Sequence, residues 1–354
     1  MKRIGNFWDK VCSMDNLIEA HKNARKDKLF YQEVKMVDSN PEKYLKKIQD
    51  MLINKTYIVS PYIHKTITDR GKVREVYKLP YFPDRIIQWA LMLQITDMFE
   101  SYFVSWSCAS RPNKGITYAS NILKTYLRQD PQGTKYCLKL DIHKFYPSID
   151  RKICKSLVRK KIKDKEALWL IDLIIDSHTE SGLPIGSYLS QYLANFYLTE
   201  FDHWLKEQKH VKYIVRYMDD IVILSDNKKY LHKLKKDIED YLNNKLNLHL
   251  NNKWQIFPVD ARGIDFLGFL HYHNHKYKLR KKTCKRYKKL CLSIQKKIRK
   301  GQPLTYSDWC ACNSYRGWLK WCNSNGLYFK YLYPLEPYLK EYYLIEIKGK
   351  GGKE

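Results

Sequence analysis

The sequence predicts an α+β fold, a small antiparallel sheet set among helices, and three observations predict it. The stretch Tyr213–Ser225, YIVRYMDDIVILS, has two flanks rich in β-branched and aromatic residues around a polar link, the pattern of a hairpin. A second short apolar run, Tyr136–Asp141 (YCLKLD), reads as a strand that ends in an acid. Elsewhere apolar residues recur at helical spacing, as do Leu189, Leu193, Phe196, Tyr197 and Phe201.

Size and charge narrow the class. A chain of 354 residues has room for two domains or one multi-lobed one. Its 65 Lys and Arg against 37 Asp and Glu leave a net charge of +28, which favours a polyanionic partner over a small neutral substrate. The 29 Tyr and 9 Trp offer ring faces on which unstacked bases could lie. The nine Cys show no paired C-x-x-C spacing, and Cys310-x-Cys312 has no matching His pair, which argues against zinc. An odd Cys count, no apolar leader and no run near the roughly 20 apolar residues of a membrane span point to a soluble cytoplasmic protein without a membrane partner.

Taken in order, residues 1–50 are charged and helical in pattern, with Ala20, Ala24 and Phe30 as apolar anchors. Lys65–Lys78, KTITDRGKVREVYK, reads as a hairpin turning at Asp69-Arg70-Gly71, with Lys72 and Arg74 on one face because alternate strand residues share a face. An amphipathic helix should follow Pro83-Asp84-Arg85 to about Phe99, and another should cover Ile116–Leu127. Beyond Asp141, helix signals resume at Arg151. Gly182–Gly186 is a loop before one long helix, Ser187–Glu207, and Gly186, Ser190 and Gln191 fall near its loop end, where backbone can approach a ligand closely. A Lys-rich helix spans about Lys228–Asn244, Lys253 opens a strand pair, and Gly263–Phe269 supplies a further hairpin. Near residue 280 the composition shifts, dividing residues 1–280 from a basic helical segment, 281–354. In that segment Trp309, Trp318 and Trp321 are expected to pack the core, and the tail Lys348–Glu354 to be disordered.

The chemistry concentrates at Asp219 and Asp220. Adjacent carboxylates repel each other and are costly to desolvate unless a cation lies between them, and hard divalent ions prefer oxygen ligands. An Asp-Asp pair alone is also what a solvated turn would carry; Asp141, at the end of a buried strand, supplies a third acid. Three such acids suit two-metal nucleotidyl transfer, with ions about 3.5–4 Å apart serving the attacking hydroxyl and the leaving group. A two-metal nuclease needs similar acids. The cations Lys72 and Arg74, suited to a triphosphate, and the aromatic Tyr146 five residues past Asp141 favour synthesis.

YMDD at 217–220, following LKLDIHKFYPSID at 138–150, resembles the palm of a reverse transcriptase, and the likeness runs from about residue 50 to 280. The resemblance implies a right-hand polymerase with fingers, a palm carrying the antiparallel sheet and a helical thumb, preceded by a helical extension over about residues 1–50. It implies two Mg²⁺ ions, with Mn²⁺ as a substitute, held by Asp141 and Asp219 with Asp220 in support and the Ile142 carbonyl facing a metal. Tyr146 takes the position of the steric gate that crowds a ribose 2′-hydroxyl. Lys72 and Arg74 match triphosphate-binding fingers, and Met218, Ile185, Gly186 and Gln191 adjoin the nucleotide. Lys253 resembles the group that protonates pyrophosphate, and Phe266, Leu267 and Gly268 the primer grip. Lys281, Lys282, Lys285, Arg286 and Lys289 would contact nucleic-acid phosphates.

Within that superfamily, GLPIGSYLSQ at 182–191 resembles the IGxxxSQ signature of diversity-generating retroelement enzymes. Group II intron enzymes more often read PQG followed by Ser-Pro here; Ile185 stands for that Gln and Gln191 for that Pro. The resemblance implies error-prone copying of a template repeat RNA into cDNA from dNTPs, with errors opposite template adenines, for diversification of a target gene. It also implies a small basic accessory protein forming a pentameric barrel. A phage-defence or orphan bacterial reverse transcriptase is the alternative, and an inactive RNA-binding scaffold the alternative of a different class.

Overall fold

The computed structural model describes residues 3–69, 72–178, 180–274 and 276–348. Four helices open the chain: α1 (Trp8–Cys12), α2 (Met14–Ala24), α3 (Gln32–Ser39) and α4 (Pro41–Ile53). The strands β1 (Ile63–Asp69) and β2 (Lys72–Lys78) then pair antiparallel as a two-stranded sheet. After them come α5 (Ile86–Tyr102), α6 (Ile116–Gln129), β3 (Tyr136–Asp141), α7 (Phe145–Ser148), α8 (Arg151–Arg159) and α9 (Lys165–Asp176). Next are α10 (Tyr188–Tyr197), α11 (Thr199–Glu207), β4 (Tyr213–Tyr217), β5 (Asp220–Ser225), α12 (Lys228–Leu246), β6 (Gln255–Pro258) and α13 (Val259–Arg262). A three-stranded sheet of β7 (Ile264–Phe266), β8 (Phe269–His271) and β9 (Tyr277–Leu279) leads to α14 (Lys281–Arg299), α15 (Tyr306–Leu319) and a final helix over Glu336–Tyr342.

The sheet that matters is four-stranded and antiparallel, in the order β4-β5-β3-β6. Both of its faces are covered. Leu138, Leu140, Ile214, Ile221 and Ile223 join a large core with the N-terminal helices, α5 and α10. Cys137, Val215, Val222, Leu224 and Phe257 point the other way into a second core with α6. Burial on both faces is why these strands are largely apolar without polar alternation, Lys139 and Arg216 being the charged exceptions in their interiors. A third core, with Tyr287, Cys291, Ile294, Cys312 and Leu335, belongs to the C-terminal helices and takes in Phe269 and Leu279 from the neighbouring sheet.

Several sequence expectations need correction. Phe30 is no anchor, since it is 71% exposed, whereas Ala20 and Ala24 are buried. The helix from Ile86 is not amphipathic but mostly buried, with Ile86, Ile87, Gln88, Ala90, Leu91, Met92, Ile95, Met98 and Phe99 all inside. The long helix expected over 187–207 is two, broken at Leu198; Ser187 caps the first, its hydroxyl accepting from the Ser190 amide. Lys253 opens no strand pair. It lies in an exposed turn before the single strand β6, which joins the sheet edge by pairing with β3. Trp309 and Trp318 pack against the third core, but Trp321 is 45% exposed. The expected turn at Arg70-Gly71 and the tail beyond Lys348 lie outside the described residues. Among the described residues no helix is long and apolar enough to cross a membrane.

Candidate active site

Asp141 and Asp220 are direct cross-strand partners at one end of the four-stranded sheet. Opposed residues of antiparallel strands lie about 4.5–5.5 Å apart at Cα, so two carboxylates share one small volume. Tyr217 pairs with Asp220, which leaves Met218 and Asp219 as a two-residue turn, with Met218 in the left-handed region at φ 55°. The Ile142 N–H donates to the Asp219 carbonyl at 3.3 Å, joining the end of β3 to that turn.

The electrostatics of the pair are strained. Burial pushes the Asp220 carboxyl up to about 6, the Lys139 ammonium opposes this, and the Asp141 charge adds to it. Lys139 Nζ lies 3.6 Å from Asp220 Oδ1, an ion pair too long to be a hydrogen bond, and this buried oxygen has no hydrogen-bond partner among the described residues. Asn251 supports the other acid, its side chain donating to Asp141 Oδ2 at 3.1 Å and its backbone N–H to the Asp141 carbonyl at 2.7 Å.

Tyr146 completes one wall. Its hydroxyl lies 3.9 Å from the Met218 sulfur, and burial together with the nearby Asp219 charge pushes its phenol well above the ordinary range. The loop 182–186 clamps onto the same region. The Leu183 N–H donates to the Tyr146 carbonyl at 3.0 Å, and the Ile185 carbonyl accepts from the Tyr77 N–H of β2 at 2.9 Å. Gly182 and Gly186 have φ of 74° and 120°, and a Cβ at either would stand 2.1 Å from the Tyr146 oxygen or 2.8 Å from the Tyr77 oxygen. Only glycine permits both approaches. Arg151 fastens the loop's start, donating to the carbonyls of Gly182 and His178 at 2.8 Å.

The other expected site residues are placed as follows. Lys72 and Arg74 occupy alternate positions of β2, paired with Asp69 and Ile67; their side chains lie outside the described residues. Gln191 is half-buried in the second turn of α10. Lys253 is exposed two residues beyond Asn251, and its ammonium has no partner among the described residues. Leu267 and Gly268 form the β7–β8 turn with φ of 51° and 95°, next to the buried Phe266. A Cβ on Gly268 would meet the Trp318 ring at 2.5 Å, so this hairpin sits hard against α15. Lys281, Lys282, Lys285, Arg286 and Lys289 all lie on α14, the helix that opens the basic segment.

Sequence reading overlooked Lys139, Asn251, Arg151, Gln88 and Arg216. Gln88 Oε1 accepts from the Ser187 hydroxyl and the Tyr188 and Leu189 amides, seating the start of α10. Lys139 and Arg216 had a usable signal, because a cation inside a strand buried on both faces must be paired.

Residues 63–271, more than half of the chain, match the family model described as reverse transcriptase (RNA-dependent DNA polymerase). The chain belongs to the reverse transcriptase family. Among curated relatives of this reverse transcriptase, YkfC of Escherichia coli K12 is 24% identical over 271 residues, 63% of this chain and 70% of that one. The group II intron-encoded protein LtrA of Lactococcus lactis is 29% identical over 182 residues, 49% of this chain and 30% of that one. The retron Ec73 reverse transcriptase of E. coli is 30% identical over 178 residues, 47% of this chain and 53% of that one. The chain thus spans under a third of LtrA and about half of the retron enzyme. Among solved structures, apo telomerase of Candida tropicalis aligns with a TM-score of 0.47 at 14% identity, covering 70% of this chain and 55% of that one.

Reverse transcriptases work with divalent metal ions, and the donor set is compatible with one. Asp141 and Asp220 are opposed hard-oxygen donors, and the buried Asp220 Oδ1 has no hydrogen-bond donor among the described residues. Among the described residues, no three His, Cys, Asp or Glu side chains already converge as a finished metal cage.

Proposed function

We propose that this reverse transcriptase copies a template repeat RNA into mutagenised cDNA, as the enzyme of a diversity-generating retroelement. The observation that carries the polymerase chemistry is the pairing of Asp141 with Asp220 beside the Met218–Asp219 turn, whose Met218 sulfur lies against the Tyr146 hydroxyl. Asp141, Asp219 and Asp220 would hold the divalent ions, Mg²⁺ by preference, with the Ile142 carbonyl as a further oxygen donor. Bound there, the ions would activate the primer hydroxyl and neutralise the triphosphate. Asn251 fixes the orientation of Asp141, and Lys139 offsets part of the charge on Asp220. Tyr146, packed on Met218, crowds the sugar and selects deoxynucleotides.

Residues 1–280 would form fingers and palm and 281–354 the thumb, with β1 and β2 presenting Lys72 and Arg74 to the triphosphate. Gly186 and Gln191 flank the nucleotide, and Lys253 serves as the proton donor to pyrophosphate. Phe266, Leu267 and Gly268 hold the primer, while the α14 cations hold the duplex backbone. The retroelement assignment rests on Ile185-Gly186 and Ser190-Gln191 in the loop that touches both β2 and Tyr146 and in the helix that follows it. A small basic accessory protein would complete the assembly. The second reading is a phage-defence or orphan bacterial reverse transcriptase, and the likeness to a retron reverse transcriptase is compatible with it.

The test is to sequence cDNA made by the purified protein on its own non-coding RNA with Mg²⁺ and dNTPs, with and without the neighbouring small protein. Asp219→Ala serves as the blank. Substitutions concentrated opposite template adenine are the expected result. Faithful cDNA would move the assignment to the defence reading, and product that persists in Asp219→Ala would remove Asp219 from the chemistry.

A further inference from the structure

Arg216 is fully buried in β4, and all five of its guanidinium N–H groups have acceptors. Nε and Nη2 donate to the two carboxylate oxygens of Asp202, with Nε at 2.8 Å. Nη2 also reaches the Ser107 hydroxyl at 2.9 Å, and Nη1 the side-chain oxygen of Asn195 at 3.3 Å. The fifth bond leaves this cluster: Nη1 donates to the Met218 carbonyl at 3.0 Å. Asp202, Asn195 and Ser107 are themselves buried, on α11, on α10 and in the 104–111 segment that runs along β4. The anchor is stiff. The Arg216 N–H donates to Trp106 O and its carbonyl accepts from the Cys108 N–H, both at 3.0 Å, while the Asn195 amide donates to Ala109 O at 2.6 Å.

From this geometry we propose that Arg216 is a positioning residue for the catalytic turn. It transmits the fixed frame of α10, α11 and the 104–111 segment to the Met218 carbonyl, and so sets the height of Asp219 and Asp220. The Met218–Asp219 turn is also held by the Ile142 N–H on the Asp219 carbonyl and by the contact between the Tyr146 hydroxyl and the Met218 sulfur, among other contacts. A buried Arg–Asp pair alone would be only a piece of core. The bond to Met218 is what distinguishes this one, because it ends on the peptide that joins Met218 to Asp219. The inference rests on the polymerase reading above.

Two variants separate positioning from folding. Arg216→Lys keeps a cation for Asp202 but has no planar fork to span Asp202, Ser107 and Met218 together. The double variant Arg216→Met with Asp202→Leu removes both charges at once, a replacement that buried ion pairs often tolerate. The assay is dTTP addition to oligo(dT) on poly(rA), read as kcat, KM for dTTP and the Mg²⁺ concentration for half-maximal rate, alongside the thermal unfolding midpoint. Folded variants are expected to lose about 100-fold in kcat, the cost of a roughly 1 Å misplacement, with KM little changed and a higher Mg²⁺ requirement. A folded variant with wild-type kcat and Mg²⁺ dependence would overturn the proposal, as would unfolding of both variants, which would make Arg216 a residue of the fold as a whole. A wild-type protein that adds no nucleotide would instead overturn the polymerase reading.

Discussion

At the scale of single residues, the half-buried, acid-bearing end of the sheet is poised against its own charge. Asp220 has its carboxyl raised to about 6, first by burial and then by Asp141, while Lys139 offsets part of the cost. A carboxyl raised in the folded state holds its proton more tightly than in the unfolded chain, so its contribution favours folding at pH 4 and is lost as pH rises through about 6. Asp220→Asn should therefore unfold at a higher temperature than wild type in EDTA at pH 7, with the gap closing as pH falls toward 4. Calorimetry across that range reads it directly. The same variant should be inactive in cDNA synthesis, since it removes a proposed ligand.

Ile185 belongs to the same scale. Its carbonyl is committed to the Tyr77 amide, so the backbone at this position is fixed and only the side chain is free to vary its chemistry. Where a Gln would offer hydrogen bonds to a sugar or base edge, Ile offers apolar contact alone, a difference on the order of 1 kcal/mol. Ile185→Gln is expected to lower the adenine substitution rate in sequenced cDNA several-fold with little loss of total product. An unchanged rate would remove Ile185 from the account of low fidelity.

At the scale of elements, the loop 182–186 joins β2 to the wall of the site. It is pinned at both ends by glycines whose missing Cβ lets backbone meet backbone, Gly182 against Tyr146 and Gly186 against Tyr77. Gly186→Ala would place a methyl group 2.8 Å from the Tyr77 oxygen and force alanine to φ 120°, a strain of about 1–3 kcal/mol. The cheapest relief is to release the loop from β2. The variant should raise KM for dNTP several-fold with a small fall in unfolding temperature. Gly115→Ala is the control, because extended backbone and open space surround that position, and it should leave both quantities unchanged.

At the scale of the molecule, the +28 charge is not spread evenly over function. Around the acids, Lys139 and Arg216 are tied to Asp220 and Asp202. On α14, by contrast, Lys285, Arg286 and Lys289 accompany a buried face made of Tyr287, Cys291 and Ile294. Replacing those three cations by Gln should weaken binding to a primed RNA template in a sequence-independent way. It should also flatten the slope of log affinity against log salt by about one unit for each phosphate left without its cation. Fluorescence anisotropy over a salt series measures the slope, and an unchanged slope would take α14 out of the interface.

The local pattern of residues was enough to reveal the hairpin at 213–225, the acid-ended strand at 136–141, the hairpin at 263–269 and the helices at 116–127 and 228–244. Each of those is written in a few consecutive side chains, in turn chemistry or apolar period, and needs no distant partner to be recognised. Sequence also singled out Asp141, Asp219 and Asp220, because unneutralised acids beside apolar strands are conspicuous wherever they fold. It did not show that Asp141 and Asp220 face each other, since strand order and register arise from pairing segments nearly 80 residues apart. Nor did it separate the charges that serve the site from those that serve the fold. Lys139, Asn251, Arg216 and Asp202 take their meaning from partners on other elements, and the break at Leu198 and the exposure of Phe30 depend on what the rest of the chain leaves uncovered. Those were decided by tertiary structure alone, because burial and hydrogen-bond partnership are properties of the packed chain and not of any window along it.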